Sequence, residues 1–153
     1  MTEPEWLDDH EADMWMNMLA IIELLPSVID SQLRRDFGMT RFEYNALAML
    51  SDSPDGSLPM SHLAILTNGS QSRLSHAVSK LQDKGWVLRA PSAMDKRSLV
   101  ATLTEEGQSL LERVAPHHVA QVRRTVIDAI PAEKMKELSD LLKPIRVNLL
   151  DSR

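Results

Sequence analysis

The chain has 153 residues, of which 43% are hydrophobic and 25% charged, the balance of a soluble globular protein with one domain or two small lobes. It contains no cysteine, which excludes disulfide bonds, thiolate metal sites, thiol catalysis and cysteine-based redox sensing. The longest apolar runs are too short to span a bilayer, and the first residues are acidic where a signal peptide would be basic. We therefore expect a cytoplasmic protein that is not bound to a membrane.

The net charge of −5 is distributed unevenly along the chain. Residues 1–30 contain eight acidic and no basic residues, whereas residues 61–100 contain six basic and two acidic ones. Such an asymmetry says more about the partners of the chain than the net charge does, so the negative net charge does not argue against nucleic acid. Uneven sampling in a short chain is the alternative explanation.

A long amphipathic helix is predicted over Asp13–Asp36, where apolar residues recur at steps of three and four. Pro26 lies inside this pattern and predicts a kink or a break, and Gly38 ends the segment. In Thr40–Glu43 a hydroxyl and a carboxylate have the spacing of a capping box, which predicts the start of a short second helix. The turn-forming residues Ser53–Gly56 end that helix.

Two short helices separated by a tight turn follow. Ser61 is the predicted N-cap of the first helix, which spans about two turns. Asn68 and Gly69 supply the positive backbone angles of the turn, and Ser70 caps the second helix. The apolar positions of the second helix are Leu74, Val78 and Leu81. A helix, a short glycine-containing turn and a helix are the outline of a helix-turn-helix.

The periodicity then changes to that of β-strands. Residues 86–89 and 98–103 are rich in aromatic and branched side chains, and residues 91–97 between them are polar and turn-prone. This pattern predicts a β-hairpin. Its loop is longer than a tight turn requires, which is typical of a functional or mobile loop.

The last third of the chain is predicted to be helical. Thr104 caps a long helix whose apolar positions continue to Ile130, and Pro116 is the expected site of a bend. Pro131 fits the first turn of a final helix, where its missing amide costs little. The apolar stripe of that final helix comprises Leu138, Leu141, Leu142, Ile145 and Leu149.

Helix, helix, turn, helix and hairpin in this order form a winged helix, in which a recognition helix is followed by a β wing. Several short motifs accompany this order and are specific in combination. They are Met39-Thr40-x₆-Leu47, Ser61-His62-Leu63-Ala64, Ser72-x₂-Ser75-x₂-Val78-x₂-Leu81-x₃-Gly85-x-Val87-x-Arg89, Asp95-x-Arg97 and Leu103-Thr104-x₂-Gly107. With these residues the chain resembles the multiple antibiotic resistance regulator (MarR) family of bacterial transcription factors, over nearly its whole length.

The resemblance implies a mainly α fold with a small β-hairpin wing, in which a winged helix-turn-helix joins a helical dimerisation region. We expect an N-terminal dimerisation helix over residues 1–36, a DNA-binding winged helix-turn-helix over residues 37–104 and C-terminal dimerisation helices over residues 105–153. The residues expected at the dimer interface are Trp15, Met18, Ile22, Leu138, Leu141, Ile145 and Leu149. An intramolecular core formed by the same residues is the alternative.

The recognition helix, about 15 residues from Ser70 to Lys84, would fit a major groove. The residues predicted to face DNA are Ser70, Gln71, Ser72, Arg73, Ser75, His76, Ser79 and Lys80. Arg73 can bond guanine O6 and N7 together, Gln71 can pair with adenine, and the short serines can donate to phosphates or bases. A solvated face of a structural helix is the alternative.

In the wing, Lys96 and Arg97 are predicted to reach a groove, where an arginine senses the negative potential of narrow, A/T-rich DNA. The resemblance implies that Asp95 holds a basic residue of the wing or of the recognition helix in place. Arg89, at the base of the wing, forms either a structural ion pair or a contact with the DNA backbone. A solvated hairpin tip is the alternative for the whole loop.

The resemblance also implies a small aromatic or anionic effector, bound in a cleft between the dimer helices and the DNA-binding lobe. The candidate effector residues are Trp15, Met18, Arg41, Tyr44 and His117. Core packing is the alternative for Trp15, Met18 and Tyr44. Adjacent His117 and His118 cannot face the same way on a helix, so we predict no metal site and no cofactor.

The sequence contains no Walker loop, no dinucleotide-type glycine pattern and no HExxH or GxSxG motif, so an enzyme is not predicted. We predict a sequence-specific regulator that binds a pseudo-palindromic operator in double-stranded DNA as a homodimer and acts as a ligand-responsive repressor. The alternative is a dimeric helical interaction protein that keeps the fold without specific DNA binding.

Overall fold

The computed structural model describes residues 4–152 as six α-helices and a three-stranded antiparallel sheet. The helices are α1 (Asp9–Phe37), α2 (Arg41–Ser51), α3 (Met60–Leu66), α4 (Gln71–Asp83), α5 (Glu105–Thr125) and α6 (Met135–Asp151). The strands are β1 (Ser57–Pro59), β2 (Val87–Pro91) and β3 (Leu99–Leu103). The predicted fold class is confirmed, with one strand more than expected.

Helix α1 starts about one turn earlier than predicted and runs through Pro26 without a break. The Asp8 carboxylate accepts hydrogen bonds from the amides of His10 and Glu11, and the Glu11 carboxylate accepts the Asp8 amide, which completes a capping box. Gly38 ends the helix in the left-handed conformation at a φ of 65°. The earlier start was missed because the first turn is polar and carries no apolar periodicity.

Most of the apolar surface of α1 is exposed. Glu23 is the one charged residue between Met14 and Ile29, and an 18-residue window of the helix has a mean hydropathy of 1.4 while 6% of that window is buried. By length and composition alone this helix could cross a membrane, contrary to the expectation from its short apolar runs. Exposed apolar surface of this kind marks an interaction site.

The capping box predicted for α2 is confirmed. Thr40 Oγ1 accepts the amide of Glu43 at 3.0 Å, and the Glu43 carboxylate accepts the amide of Thr40 at 2.9 Å. The structure adds a third cap, because the Asp30 carboxylate of α1 accepts the amide of Arg41 at 2.9 Å. Helix α1 therefore contributes directly to the N-terminus of α2.

The helix-turn-helix is formed by α3 and α4, but α3 begins differently from the prediction. Its N-cap residue is Pro59, without a capping side chain, so the prediction of Ser61 as the N-cap is wrong. The reason is that the preceding residues form β1, in which Ser57 pairs with Thr102 of β3. The chain therefore enters α3 directly from a strand.

The turn between α3 and α4 uses one left-handed residue and not the two predicted. Asn68 has a φ of 52°, whereas the φ of Gly69 is not positive. Gly69 is required for space, because a Cβ there would lie 2.5 Å from Phe42 Cζ. Ser70 caps α4 as predicted, since its hydroxyl accepts the amide of Arg73 at 3.1 Å.

The wing is the hairpin of β2 and β3, to which β1 adds a third strand. The strand order is β1-β3-β2, and both pairings are antiparallel. The hydroxyls of Ser57 and Thr102 lie 2.8 Å apart and add a side-chain hydrogen bond to the first pairing. Strand β1 was not predicted, because three residues ending in a proline carry too little alternation to indicate a strand.

The long C-terminal helix is shorter than predicted. Helix α5 continues through Pro116 but ends at Thr125, and a 3-10 turn over Ile127–Ala129 follows. The branched residues at this point favour helix less than the preceding ones, and the Thr125 hydroxyl bonds back to a carbonyl of its own helix. Pro131 precedes a second 3-10 turn over Ala132–Lys134, which leads into α6.

The chain divides into two compact units, one ending at His118 and the other beginning at Val119. The first unit contains α1 and the whole winged helix-turn-helix around one core. Fully buried side chains of this core include Leu33, Leu47, Leu63, Leu74, Val87 and Val114. In the second unit no residue up to Ser152 is buried.

Candidate nucleic-acid interface

Helix α4 has one buried face and one exposed face. Leu74, Val78 and Leu81 are fully buried in the first unit. The residues predicted to face DNA lie on the remaining surface, where Ser79 is half-buried and the others are exposed. With 13 residues, α4 is about 20 Å long at the standard helical rise, so it offers a polar surface of the size that a major groove accommodates.

Arg89 joins the wing to one flank of α4. Its guanidinium donates hydrogen bonds of 3.2 Å to the hydroxyls of both Ser75 and Ser79. The observed partners are hydroxyls of helix α4 and not a carboxylate, so the ion-pair alternative is not observed, while the contact with the DNA backbone stays a prediction. Two of the serines predicted to face DNA therefore have a partner inside the protein.

Arg73 lies on the other flank of α4. Its guanidinium carbon is 4.2 Å from the centroid of the Phe42 ring, the geometry of a cation–π contact. Phe42 belongs to α2, is buried, and lies over Gly69 in the turn before α4. Arg73 is thus held against α2 in the free protein.

The wing tip exposes Lys96 and Arg97. Beside them, the Asp95 carboxylate accepts hydrogen bonds from the Arg97 amide at 3.0 Å and from the Ser98 hydroxyl at 2.9 Å. These two bonds hold the pKa of Asp95 below its usual value. Asp95 therefore shapes the main chain of the wing tip, through the backbone of a basic residue and not through its side chain.

A cleft of about 440 Å³ lies between α1, α2 and α4 inside the first unit. The charged residues that line it are Asp30, Arg34, Arg41, Glu43, Arg73 and Lys80. Burial raises the pKa of Asp30, but the bonds from the Arg34 side chain and the Arg41 amide outweigh it, so the pKa of Asp30 is lowered. Asp30, Arg34 and Phe42 were not among the predicted site residues, because no motif in the sequence indicates how α1 and α2 pack beside α4.

The structure does not bring the five candidate effector residues into one cleft of the chain. Arg41 lines the cleft beside α4. Tyr44 is buried with its ring 4.3 Å from that of His118, as the core-packing alternative describes, and burial raises the pKa of Tyr44 and lowers that of His118. His117 packs on the ring of Phe37, with the two centroids 5.4 Å apart.

Trp15 and Met18 lie on the N-terminal half of α1. Met18 precedes Pro26, the first α1 residue that lines the cleft beside α4, by eight residues, which is about 12 Å along the helix axis, and neither Trp15 nor Met18 lines that cleft. Trp15 is 44% exposed, so the core-packing alternative does not hold for it. In the described chain, residues 4–152, no group of three or more His, Asp or Glu side chains could hold a metal ion.

A helix-turn-helix with an exposed polar recognition helix, followed by a β wing with a cationic tip, defines a winged helix-turn-helix protein. Residues 37–98 match the family model described as MarR family. AbsC, a MarR family transcriptional regulator from Streptomyces coelicolor, has a sequence that is 39% identical to this chain. Its crystal structure matches with a TM-score of 0.90, and the match covers 97% of this chain and 99% of that one.

Sco3205, a MarR family transcriptional regulator from the same organism solved in complex with DNA, is also 39% identical, with a TM-score of 0.91 over 97% of this chain and 93% of that one. The homoprotocatechuate degradative operon repressor of Escherichia coli is 30% identical over 105 residues, 69% of each chain. The present chain therefore belongs to the MarR family of transcriptional regulators. Membership confirms the prediction of a DNA-binding regulator and not an enzyme.

Proposed function

We propose that this chain binds operator DNA as a homodimer and represses transcription until a small effector releases it. The observation that carries the proposal is an exposed polar α4 next to a wing tip that presents Lys96 and Arg97. A recognition helix of this kind reads base edges in the major groove, and a cationic wing tip reads the width of the minor groove. The structure of Sco3205 was solved in complex with DNA, which supports this assignment. A protein that binds operator DNA would be located in the cytoplasm.

The dimer is supported by two exposed apolar faces. None of the seven residues predicted at the dimer interface is buried within the chain, which argues against the alternative of an intramolecular core. Ile22 of α1 is 53% exposed, and Leu141 and Leu149 of α6 are 64% and 66% exposed. A second copy of the chain would remove both faces from water, so residues 1–36 and 105–153 are proposed as the dimerisation segments and residues 37–104 as the DNA-binding segment.

The proposed effector acts by shifting a population of dimer shapes. A ligand that prefers a dimer with misplaced recognition helices lowers DNA affinity by its differential binding to the two shapes. The name of the E. coli relative links it to a homoprotocatechuate degradative operon, which supports an aromatic, anionic effector. Of the five candidate effector residues, Arg41 lines a cleft within the chain.

Selection from random duplexes tests the proposal. The full-length chain should enrich a pseudo-palindromic consensus with half-sites about one helical turn, roughly 34 Å, apart. The Lys96→Ala/Arg97→Ala double variant serves as the control with an impaired wing, and homoprotocatechuate added to the selected duplex tests release. No consensus with the wild-type chain would contradict the proposal and favour a dimeric interaction protein that keeps the fold.

A further inference from the structure

The cleft between α1, α2 and α4 has an excess of positive charge. Four cationic side chains line it, and its two carboxylates each accept a backbone amide at the N-terminus of α2. Arg34 is paired with one of these carboxylates, that of Asp30. Among the side chains that the structure describes, Arg41, Arg73 and Lys80 line the cleft without forming a salt bridge, although the charge of Arg41 helps to lower the pKa of Asp30.

The position of the cleft on α4 indicates its ligand. Arg73 and Lys80 lie about 130° around the helix from Ser75 and Ser79, which are held by Arg89 of the wing. A helix in a major groove about 12 Å wide has a sugar-phosphate backbone along each flank. The wing occupies one flank of α4, so the cleft on the other flank faces phosphates and not base edges.

We propose that this cleft is a phosphate site, in which Arg41 and Lys80 bind a phosphate of the operator backbone and Arg73 completes the site. This inference rests on the proposed DNA binding and adds α2 to the elements that contact DNA. The ring of Phe42 holds the Arg73 guanidinium at the wall of the cleft. Arg73 therefore contacts a phosphate, in place of the guanine contact predicted from sequence.

The salt dependence of operator binding tests the site. Each phosphate contact contributes about 0.9 to the slope of log affinity against log salt, so Arg41→Gln and Lys80→Gln should each flatten the slope by about 1.8 in a dimer. Both variants should lose affinity for the selected operator and for an unrelated duplex alike. Arg113→Gln removes the same charge from α5 outside the cleft and should leave the slope unchanged, and Arg41→Lys should restore it.

Arg73→Gln separates the two roles of that residue. A contact with phosphate predicts a flatter slope and an unchanged consensus in the duplex selection. An unchanged slope with relaxed preference at one base position would overturn the inference for Arg73. Thermal melts of every variant show whether the fold is retained.

Two further outcomes would overturn the phosphate site as a whole. The first is that the wild type binds the operator, but its slope of log affinity against log salt equals the slopes of Arg41→Gln and Lys80→Gln. The second is calorimetric binding of inorganic phosphate to the free protein that Arg41→Gln abolishes while the DNA slope stays unchanged, since this would identify a small-anion site. A wild-type chain that selects no operator contradicts the proposed function instead, so the two failures are distinguishable.

Discussion

At the scale of single residues, the surface proposed to face DNA depends on side chains that position other side chains. Arg89 donates hydrogen bonds to two hydroxyls of α4, and the Asp95 carboxylate accepts a hydrogen bond from the backbone amide of Arg97. A group that already has a partner inside the protein contributes less to DNA binding than its exposure suggests, because that bond must break first. Contacts of this kind decide which polar groups are free to bind.

Arg97→Ala tests the wing. Loss of a cation from a narrow minor groove should weaken operator binding several-fold, mostly for operators with A/T-rich flanks, because the potential of such a groove is the most negative. The measurement is a gel-shift titration with A/T-rich and G/C-rich flanking sequences. Equal affinities of the variant and the wild type would remove the wing from the mechanism.

Arg89 and Ser79 can be tested together in a double-mutant cycle of operator affinity. Arg89→Ala should weaken binding because the wing loses its connection to α4, and Ser79→Ala should have little further effect in that background. The expected coupling is about 0.5–3 kcal/mol, the range for residues in contact. If Ser79 binds DNA directly, its substitution will cost the same in both backgrounds.

At the scale of elements, the wing and the helices meet at places where the backbone comes very close. A Cβ on Gly107 of α5 would lie 2.2 Å from the carbonyl oxygen of Trp86, which accepts the amide of Thr104. This carbonyl is main chain and cannot rotate away as a side chain can. The glycine in the Leu103-Thr104-x₂-Gly107 motif is thus explained by the packing of α5 on the start of the wing.

Gly107→Ala is expected to lower the free energy of unfolding by about 1–3 kcal/mol through overpacking. Alanine would gain about 1 kcal/mol in helix propensity, which is too little to offset a clash with main chain. Chemical denaturation measures the difference. Ser109→Ala, an exposed position on the same helix, is the control and should be neutral or slightly stabilising, and a stable Gly107→Ala variant would contradict the packing explanation.

Asp30 links α1 to the N-terminus of α2, and this link should depend on pH. The pKa of Asp30 is lowered in the folded chain, so its ionised form stabilises the fold above the unfolded pKa of about 3.9 and this contribution is lost as the pH falls through the folded pKa.

Asp30→Asn should therefore lower the free energy of unfolding by about 0.5 kcal/mol at neutral pH, because it removes the charge that faces Arg34 while its amide oxygen can still accept the amide of Arg41. The difference from the wild type should disappear at pH values below the folded pKa, where both side chains are neutral. Denaturation curves of the wild type and the variant, recorded from neutral pH to pH values below the folded pKa, measure this difference in the free energy of unfolding. A difference that is independent of pH would show that the charge of Asp30 is not responsible.

At the scale of the whole molecule, the distribution of apolar surface favours a second copy of the chain. Neither the N-terminal half of α1 nor α6 buries its apolar stripe within the chain. Helices with such faces gain stability from tertiary or quaternary packing and not from propensity alone. The structure therefore contains two surfaces that remain to be covered in the proposed dimer.

Leu141→Glu tests this assignment by placing a charge on the exposed stripe of α6. Sedimentation at micromolar concentration should show a dimer for the wild type and a shift towards monomer for the variant, because a buried unpaired carboxylate opposes association. Ser139→Glu adds the same charge to the same helix outside the stripe and should remain dimeric. A monomeric wild type that binds lipid vesicles instead would assign the apolar face of α1 to a membrane.

The order of elements could be predicted from the sequence, because it is encoded locally. Capping boxes, turn residues and the change of period from helix to strand depend on neighbours within a few positions, so α1, α2, α4 and the hairpin were predicted close to their observed bounds. The residues of α4 proposed to face DNA were predicted in the same way, from the polar side of one amphipathic helix. Strand β1 and the N-cap of α3 were missed because they depend on a partner more than forty residues away, in β3.

By itself, the sequence thus determined which residues form the recognition helix and the wing, since periodicity and capping act over one or two turns. Tertiary structure alone decided what those residues contact. Arg73 meets Phe42, Arg89 meets two serines, and Asp30 caps α2, in each case between elements that are separate in the chain. Such contacts arise from packing three helices and the wing around one core, and the local signals of a sequence do not specify the geometry of that packing.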